Sequence, residues 1–391
     1  MNIKETTKNI LNEIIKIRRD FHMYPELSEQ EFETAKKICD YLKEWGIEYK
    51  NNVGGTGIVA IIKGKRPGKT IAIKSDMDAL PIQEKNDVLY KSKNDGVMHA
   101  CGHDVNTAIL LGTARVLKKY ENEIKGNIKF FFEPAEETIG GATLMIKDGC
   151  MEKPSVDVML GMHVMPYLNT GDVEIRYGCL NASSNEIKIT VHGKSGHAAS
   201  PEKTVDPIVV ASHIVIALQT LVSRSISPTD SAVLTIGKIQ GGTKGNIIPE
   251  KVELQGTLRV LYPEVKKYAK IKINEIATHI ALAMGATAEV EIKDSYNALI
   301  NDTQIVNVIN EKAVEILGSS HVIKKETPSM GAEDFSYYLE KAQGAYYHLG
   351  CRNKEKDYIP ELHTERFDVD EDCIGIGIEL QTKIVMALLN A

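Results

Sequence analysis

Apolar positions in the first part of the chain switch repeatedly between helical and strand-like spacing. Helix-like segments carry apolar residues three or four positions apart, and strand-like segments are short apolar runs between polar turns. The predicted helices are 5–24, 28–46, 105–120 and 140–149, and the predicted strands are 56–64, 69–75, 127–133 and 156–164. Repeated units of this kind predict a mostly parallel sheet covered by helices.

Polar residues beside these segments predict how two of the helices begin. Ser28 and Glu31 have the spacing of a capping box at the start of the second helix. Asp104 directly precedes the third helix and is placed to accept hydrogen bonds from its first amides.

The middle of the chain follows a different order. Between residues 181 and 294 the pattern reads strand, helix, strand, strand, helix, strand, which is the order of a ferredoxin-like split unit. Residues 295–391 then resume the pattern of residues 1–180. We therefore predict an α/β protein in which a mostly parallel-sheet domain, in two parts, is interrupted by a ferredoxin-like α+β domain.

Composition narrows the classes of function. A chain of 391 residues with 43% hydrophobic residues is longer than a single hydrophobic core usually supports, so two domains are expected. The net charge is -6 and no basic stripe is visible, which argues against nucleic acid. No apolar run approaches the roughly 20 residues of a membrane span, and the amino terminus lacks the apolar centre of a signal peptide. We expect a cytoplasmic protein without a membrane or nucleic-acid partner.

The six cysteines are scattered and include no C-x-x-C pair, so neither a zinc ribbon nor a disulfide scaffold is indicated. In a reducing compartment most would be small buried hydrophobic residues. Cys101 differs because His103 lies two positions away. Thiolate and imidazole are both strong ligands for Zn²⁺ and similar ions.

Other metal-binding residue types follow the predicted strands. They are Asp78, the adjacent Glu136 and Glu137, His163 at the end of its strand, and His363 after the last strand. Because the carboxyl ends of parallel strands meet at one edge of a sheet, we expect these residues to form one site. Two adjacent acids allow one to coordinate a metal while the other acts as a base toward water.

Each of these residues has a more ordinary interpretation when taken alone. An isolated histidine is more often a hydrogen-bonded core or surface residue, adjacent glutamates often belong to a solvated helix, and a lone cysteine is often packed in a core. Five ligand-type residues at strand ends of one domain favour a metal site over these separate explanations. The sequence therefore predicts a metal-dependent hydrolase centre.

Eight ordered motifs then resemble those of the M20 metallopeptidase family, and most closely its amidohydrolase branch. They are SDMDALPIQE, MHACGHD, FEPAEE, GMHV, GHAASP, GNIIPE, MGAEDF and LHTERFDVDE. The branch includes N-acyl-amino-acid amidohydrolases, hippurate hydrolases, auxin-conjugate hydrolases and N-acetyldiaminopimelate deacetylases. The resemblance runs from Arg18 to Asp372, nearly the whole chain.

The resemblance implies that the parallel-sheet domain is catalytic and holds two divalent metal ions, Zn or Mn before Co or Ni. Cys101 would be the ligand that bridges them. His103 and His163 would complete the ligands of one ion, and Glu137 and His363 those of the other.

Two further acids receive roles from the resemblance. Glu136 would be the general base that takes a proton from the water bridging the metals and passes it to the leaving amine. Asp78 would orient a site residue, and its alternative interpretation is a structural cap of the strand end.

The inserted domain would act as a lid over the substrate. His197 resembles a histidine that polarises the scissile carbonyl, sometimes from a partner subunit, and otherwise reads as a helix-start histidine. Asn246 and Arg259 resemble residues that hold the substrate's free carboxylate, a task suited to a planar guanidinium, although either could be an ordinary polar residue of a strand. His22 and His99 also lie in motifs, and we expect supporting roles for them.

Two residues depart from the pattern of the branch. Asn106 stands where a second histidine is common after the GHD motif, and Glu133 stands where glutamine is usual. Neither belongs to the implied ligands, so we expect them to change the polarity near the metals and the acyl preference.

The expected reaction is hydrolysis of the amide bond of N-acyl amino acids, with an acetyl, benzoyl or similar acyl group, by a homodimer or larger homo-oligomer. A dipeptidase or aminopeptidase of the same family is a close alternative. A catalytically silent binding protein should have lost ligands or the base, and none is lost. Zinc deamination would need an H-x-E motif with a P-C-x-x-C partner, and the sequence has no P-C-x-x-C motif.

Overall fold

The computed structural model describes residues 1–355 and 360–390, and the chain divides into two compact units. Unit 1 comprises Met1–Gly178, Ile300–Glu326 and Tyr337–Ala391, and unit 2 comprises Cys179–Leu299 and Thr327–Ser336. The sequence of unit 2 therefore interrupts that of unit 1.

The described residues contain eight α-helices and sixteen β-strands, numbered in chain order. The helices are α1 (Ile3–Met23), α2 (Phe32–Glu44), α3 (His103–Lys119), α4 (Gly141–Lys147), α5 (Pro207–Thr220), α6 (Pro263–Ala283), α7 (Thr303–Leu317) and α8 (Asp372–Asn390). The strands are β1 (Glu48–Lys50), β2 (Ile58–Lys63), β3 (Arg66–Asp76), β4 (Lys125–Glu133), β5 (Val158–Asn169), β6 (Val173–Ile175), β7 (Gly178–Asn181), β8 (Ser183–His192), β9 (Gly196–His197), β10 (Ala232–Gly241), β11 (Ile247–Ile248), β12 (Lys251–Val260), β13 (Thr287–Asp294), β14 (Leu299–Asn301), β15 (Val322–Lys324) and β16 (Gln343–Arg352).

An eight-stranded sheet forms the centre of unit 1, in the order β1-β2-β4-β3-β5-β16-β6-β15. The four central strands, β4, β3, β5 and β16, are parallel to one another. Their apolar runs, such as 71–73 in β3 and 130–132 in β4, are fully buried, as expected for strands covered on both faces. The carboxyl ends of these strands therefore share one edge of the sheet.

Helix α3 is buried on nearly every side and packs against α1, α8 and the sheet. A Cβ atom on Gly112 would lie 2.4 Å from Cδ1 of Ile378, so α3 and α8 approach closely at this point and a larger residue would require the Ile378 side chain to move. This close packing fixes the position of the helix whose first residue is His103.

Unit 2 contains a four-stranded sheet in the order β10-β12-β8-β13, in which every neighbouring pair is antiparallel. Helices α5 and α6 pack against it through apolar stripes at helical spacing. The stripes are Val210, Ala211, Ile214 and Leu218 in α5, and Ala269, Ile273, Ala277 and Ala281 in α6. The predicted ferredoxin-like order and the α/β fold class are confirmed.

The helical segment Pro207–Ser225 is long and apolar enough to cross a membrane, by length and composition alone. It has 19 residues and a mean hydropathy of 1.5 in its most apolar window, of which 28% is buried inside the structure. This differs from the expectation that no apolar run approaches such a length. The reason is that α5 has no Asp, Glu, Lys or Arg, and its exposed face carries apolar residues such as Ile208 and Ile216.

The predicted helix caps are wrong. Helix α2 begins at Phe32 without a side-chain cap, because the Ser28 hydroxyl donates to Asp78 instead (Oγ to Oδ2, 2.7 Å). Helix α3 begins at His103, so Asp104 lies inside its first turn and not at its cap. Instead of capping helices, Ser28 and Asp104 contact residues far away in the sequence.

Strand β5 does not end at His163, contrary to the prediction. It continues to Asn169 because β16 pairs with it along this length, with His348 opposite His163. Its pairing with β3 stops at Gly161. One edge of β5 therefore opens just before His163.

Candidate metal centre

The loop that carries Cys101 has a shape that requires glycine. Gly102 has a φ of +85°, and a Cβ atom there would lie 2.6 Å from Cγ2 of Val164. Cys101 and His103 flank this turn at the start of α3, and both are buried. The turn lets two residues that are so close in sequence present their side chains to the same region.

Five side chains form two overlapping groups of potential metal ligands. The ligand atoms of Cys101, His103 and His163 lie within 4.8 Å of one another. A second group with the same spacing consists of Cys101, Glu137 and His363. The shared Sγ of Cys101 lies 3.5 Å from Nε2 of His163 and 3.3 Å from Nε2 of His363. One thiolate between two sets of donors suits a pair of metal ions that share it.

The two buried histidines are oriented through their second ring nitrogen. Nδ1 of His103 lies 2.9 Å from the carbonyl oxygen of Asp78 and 3.2 Å from its carboxylate. Nδ1 of His163 lies 2.7 Å from the carbonyl oxygen of Val164. Because these oxygens only accept hydrogen bonds, each Nδ1 carries the proton and each Nε2 remains available to a cation.

The electrostatics of the group also fit a divalent cation. Burial raises the pKa of the Cys101 thiol, and burial lowers the pKa of His163 well below its ordinary value. Burial acts to raise the pKa of Glu137, but the neighbouring His363 and His103 outweigh it and lower that pKa. A cation would stabilise the thiolate, while His163 and Glu137 are already in their ligating forms.

His363 reaches the site from the last part of the chain with an uncommon backbone conformation. Its φ is +61°, and its amide donates to the carbonyl of Ala100 (2.8 Å). Its Nε2 lies 3.3 Å from Oε1 of Glu137, and its side chain is 51% exposed. Left-handed backbone at a residue other than glycine costs energy and persists where the surroundings hold it, often at functional sites.

Two predicted acids lie beside the ligand groups. Glu136 forms a third group with His103 and Glu137, whose ligand atoms lie within 4.8 Å of one another. Asp78 is fully buried and accepts hydrogen bonds from the Ser28 hydroxyl (2.7 Å) and the Glu137 amide (3.0 Å). Asp78 therefore contacts His103 and Glu137 together, which suits a residue that orients its neighbours.

Glu31 supports the turn before Glu136, a role that the sequence did not predict. Its buried carboxylate accepts hydrogen bonds from the Ala135 amide (2.9 Å) and the Thr56 hydroxyl (2.7 Å). Ala135 has a φ of +56°, so this turn is strained and needs such support. The spacing of Glu31 from Ser28 matched a helix cap, and no other sequence signal indicated the true partners.

Both departures from the family pattern are buried and support the strands around the site. Oδ1 of Asn106 accepts a hydrogen bond from the Val164 amide (3.2 Å), next to His163. Oε2 of Glu133 accepts one from the Tyr338 hydroxyl (2.6 Å).

The three residues predicted in the inserted domain all lie in unit 2. His197 is exposed on the ribbon of β9 and β11, and its Nδ1 accepts a backbone amide hydrogen bond (3.0 Å). The backbone carbonyl of Asn246 accepts a hydrogen bond from the amide of Ala198 (3.2 Å), the residue that follows His197. The backbone of Asn246 therefore lies close to that of His197. Arg259 lies in the inner strand β12. Their roles toward substrate stay predictions.

Comparisons with known proteins find similar sequences and similar solved structures. The sequence profile of peptidase family M20/M25/M40 matches residues 72–387. The chain is 41% identical to Thermostable carboxypeptidase 1 of Saccharolobus solfataricus, over 96% of this chain and 96% of that protein. It is 40% identical to the N-acetyl-L-cysteine deacetylase of Bacillus subtilis, over 93% and 85%. A crystal structure of a dinuclear metal-binding M20 peptidase from Bacillus subtilis matches with a TM-score of 0.87 and 34% identity, over 98% and 99%.

Proposed function

Because the chain belongs to peptidase family M20/M25/M40 and is a metal-dependent amidohydrolase, we propose that it cleaves N-acyl amino acids. The products are a carboxylic acid and a free amino acid. A small acyl group such as acetyl is favoured by the similarity to N-acetyl-L-cysteine deacetylase. A benzoyl or similar group is the next choice.

One observation carries this proposal. The two ligand groups share Cys101, and a further carboxylate, Glu136, lies beside them within 4.8 Å of His103 and Glu137. A protein that only bound an amino-acid derivative would not need this additional acid. The complete set of donors and base therefore favours catalysis over binding alone.

The chain's own residues divide the chemistry among them. Two divalent cations held by the ligand groups would polarise the scissile carbonyl and lower the pKa of a water molecule. Glu136 belongs to neither of the two ligand groups that share Cys101 but lies beside both of their members His103 and Glu137, and in this proposal its carboxylate accepts the proton of the attacking water and returns it to the leaving amine. Asp78 holds His103 in the tautomer that turns Nε2 toward the site.

The native cations in this proposal are Zn²⁺ or Mn²⁺, with Co²⁺ or Ni²⁺ as substitutes. Thiolate and imidazole donors suit Zn²⁺, and carboxylate donors such as Glu137 also suit Mn²⁺. A mixed donor set of this kind accepts several ions, so geometry and supply decide which one is bound.

Unit 2 is proposed to supply contacts to the substrate. His197 donates a hydrogen bond to the oxygen of the scissile carbonyl, from the same chain or from a partner. Its Nδ1 accepts a backbone amide, so Nε2 carries the proton that this role needs. Arg259 and Asn246 bind the free carboxylate of the substrate, for which the planar guanidinium is suited.

We propose a homodimer that forms through unit 2. Helix α5 exposes Ile208 by 44% and Ile216 by 69%, and strand β10 is an edge of its sheet with Ile239 exposed by 56%. An exposed apolar helix face beside an open strand edge is a common protein interface. A reducing, cytoplasmic location is proposed because the six cysteines are buried and none of them forms a disulfide.

A peptidase of the same family is the second candidate. The 41% identity to Thermostable carboxypeptidase 1 favours it, since a peptide is also an acylated amino acid with a free carboxylate. Both reactions use the same ligands and the same base, so only the acyl side of the substrate distinguishes them.

A substrate panel separates the two candidates. Initial rates are measured for N-acetyl amino acids, N-benzoyl amino acids and dipeptides, on protein whose metal content is known. The proposal predicts kcat/KM values at least about 10-fold higher for the acyl amino acids than for the dipeptides, a difference of about 1.4 kcal/mol. Higher values for dipeptides would favour the peptidase, and no hydrolysis of any amide would refute both.

A further inference from the structure

A buried ionic cluster lies directly behind the residues that carry the ligands. We define the Arg18 cluster as Arg18, His22, Glu84, Asp104 and Asp368, each of which is at most 4% exposed. All five belong to unit 1, and none is a member of the two ligand groups. Five buried charged or chargeable side chains in one place call for a physical explanation.

Arg18 connects the two chain segments that deliver ligands from opposite ends of unit 1. Its Nε lies 2.8 Å from Oδ2 of Asp104, the residue after His103. Its Nη2 donates to Oδ1 of Asp368 (3.0 Å), in the segment that follows His363. One rigid guanidinium therefore holds the start of α3 and the His363 segment at a fixed separation.

His22 reinforces the same connection from the next turn of α1. Nδ1 of His22 lies 2.8 Å from Oδ2 of Asp104, and Nε2 lies 3.3 Å from Oε1 of Glu84. Residues four positions apart on a helix share one face, so Arg18 and His22 reach Asp104 together. Asp104 is thus held by two cations of α1.

The two ligand segments also touch each other where this connection holds them. The His363 amide donates to the carbonyl of Ala100 (2.8 Å), next to Cys101. The φ of +61° at His363 is retained only if the surrounding contacts hold it. A small change in the separation of the two segments would therefore displace both Cys101 and His363.

Stability alone is a poor reason for such a cluster. Removing two or more charges from water costs more than their attraction returns in many proteins, and apolar replacements of similar volume are often neutral or stabilising. Residues behind metal ligands, in contrast, commonly change metal affinity or activity by 10- to 100-fold when they are replaced. The Arg18 cluster lies behind predicted metal ligands, so an effect on metal affinity or activity explains it better than stability does.

We propose that Arg18 and His22 are positioning residues of the metal centre, which act through Asp104 and Asp368 on the spacing of Cys101, His103 and His363. This inference rests on the proposed function, because it assumes that these residues bind divalent cations. It extends that function by making the geometry of the centre depend on the first helix of the chain.

A neighbouring arginine provides a matched control. Arg19 pairs with Glu371 (2.6 Å) and lies over the ring of Tyr90 at 4.9 Å, the same distance as Arg18. Its side chain is 42% exposed, and its ion pair is with Glu371 and not with Asp104. Glu371 also contacts Nη1 of Arg18 (3.4 Å), but Arg19→Met leaves the contacts of Arg18 with Asp104 and Asp368 in place while it removes a similar charge and a similar aliphatic chain.

The test measures metal affinity in the full-length protein. Metal-free wild type, Arg18→Met, Arg18→Lys, His22→Gln and Arg19→Met are titrated with Zn²⁺ against a chromophoric chelator, and the thiolate absorption of each Co²⁺ form is recorded. We expect Arg18→Met to bind Zn²⁺ about 10- to 100-fold more weakly and to shift the Co²⁺ absorption. Arg18→Lys and His22→Gln should lie in between, and Arg19→Met should stay within about twofold of wild type.

The outcomes separate this inference from the proposed function. If wild type binds no Zn²⁺, both fail together. If wild type binds two ions and the folded Arg18 and His22 variants bind them equally well with unchanged Co²⁺ spectra, the positioning role alone is refuted, even if their melting temperatures fall. If Arg18→Met does not fold, the milder Arg18→Lys and His22→Gln variants decide by the same criterion.

Discussion

His22 should make the stability of unit 1 depend on pH. Its ring is fully buried, and its two nitrogens face the carboxylates of Asp104 and Glu84. Burial and the charge of Arg18 act to lower the pKa of His22, but the two carboxylates outweigh them and raise it to about 9. The nearby His99, whose pKa burial lowers to about 4, stays neutral and does not add a competing charge.

The size of the effect follows from the two pKa values. A group whose pKa is higher in the folded state than in the unfolded state stabilises the fold when it is protonated. The difference between a pKa of 6.5 in the unfolded state and about 9 in the folded state corresponds to about 3 kcal/mol of stability, since a shift of one pKa unit is worth about 1.4 kcal/mol. This stabilisation is fully present below pH 6.5 and is lost as the pH rises through about 9.

Urea unfolding of the metal-free protein provides the assay. The chain has one tryptophan, Trp45, at the end of α2, so its fluorescence reports on unit 1. Free energies of unfolding are measured from pH 6 to about pH 10 for wild type and His22→Gln, because glutamine does not titrate. We expect the difference in free energy of unfolding between wild type and His22→Gln to shrink by about 3 kcal/mol as the pH rises over this range.

An exposed histidine of unit 2 supplies the control. His279→Gln should change the free energy of unfolding by less than about 0.5 kcal/mol at every pH. A constant difference between wild type and His22→Gln from pH 6 to pH 10 would show that His22 does not hold an additional proton in the folded protein. The reasoning about the buried cluster would then be wrong.

Three further predictions concern catalysis and assembly. Glu136→Gln should retain its metal content while kcat falls by roughly 10² to 10⁴, and near-normal turnover would remove Glu136 from the role of base. Arg259→Ala should raise KM for acyl amino acids and hardly affect an acyl amide without a carboxylate, and equal losses of kcat/KM on the two substrates would contradict its role. His197→Ala should lower kcat for both substrates by roughly 10² or more, and an unchanged kcat would contradict its contact with the carbonyl oxygen. Ile216→Lys should convert the dimer into a monomer in sedimentation experiments, and an unchanged mass would exclude this face of α5.

Local sequence patterns predicted the parts of the fold that depend on periodicity. The alternation of apolar runs and helices gave the parallel core of unit 1, and the order of elements gave the ferredoxin-like sheet of unit 2. The ligand-type residues were predicted to lie together because the carboxyl ends of parallel strands share an edge, and their ligand atoms do lie together although His163 is inside β5 and not at its end. Cys101 and His363 meet in this way although they are 262 residues apart.

Contacts between distant polar residues could not be predicted in the same way. Ser28 and Glu31 fit a helix cap, yet Ser28 donates to Asp78, 50 positions further along the chain. Arg18 binds Asp368 across 350 positions. Such pairs leave no periodic signal, and they depend on how the helices pack against the sheet. Residue types and motifs therefore predicted which side chains could bind metal, whereas the buried contacts behind them became visible only in the structure.

The central claim is that the five ligand residues hold two divalent cations on which hydrolysis of N-acyl amino acids depends. Its most direct test is a titration of metal-free protein with Zn²⁺ or Mn²⁺ while acetate release from an N-acetyl amino acid is followed. We predict no release without added metal and a rise that reaches its plateau near two bound ions per chain. Full release by the metal-free protein, or a plateau reached without bound metal, would contradict the claim.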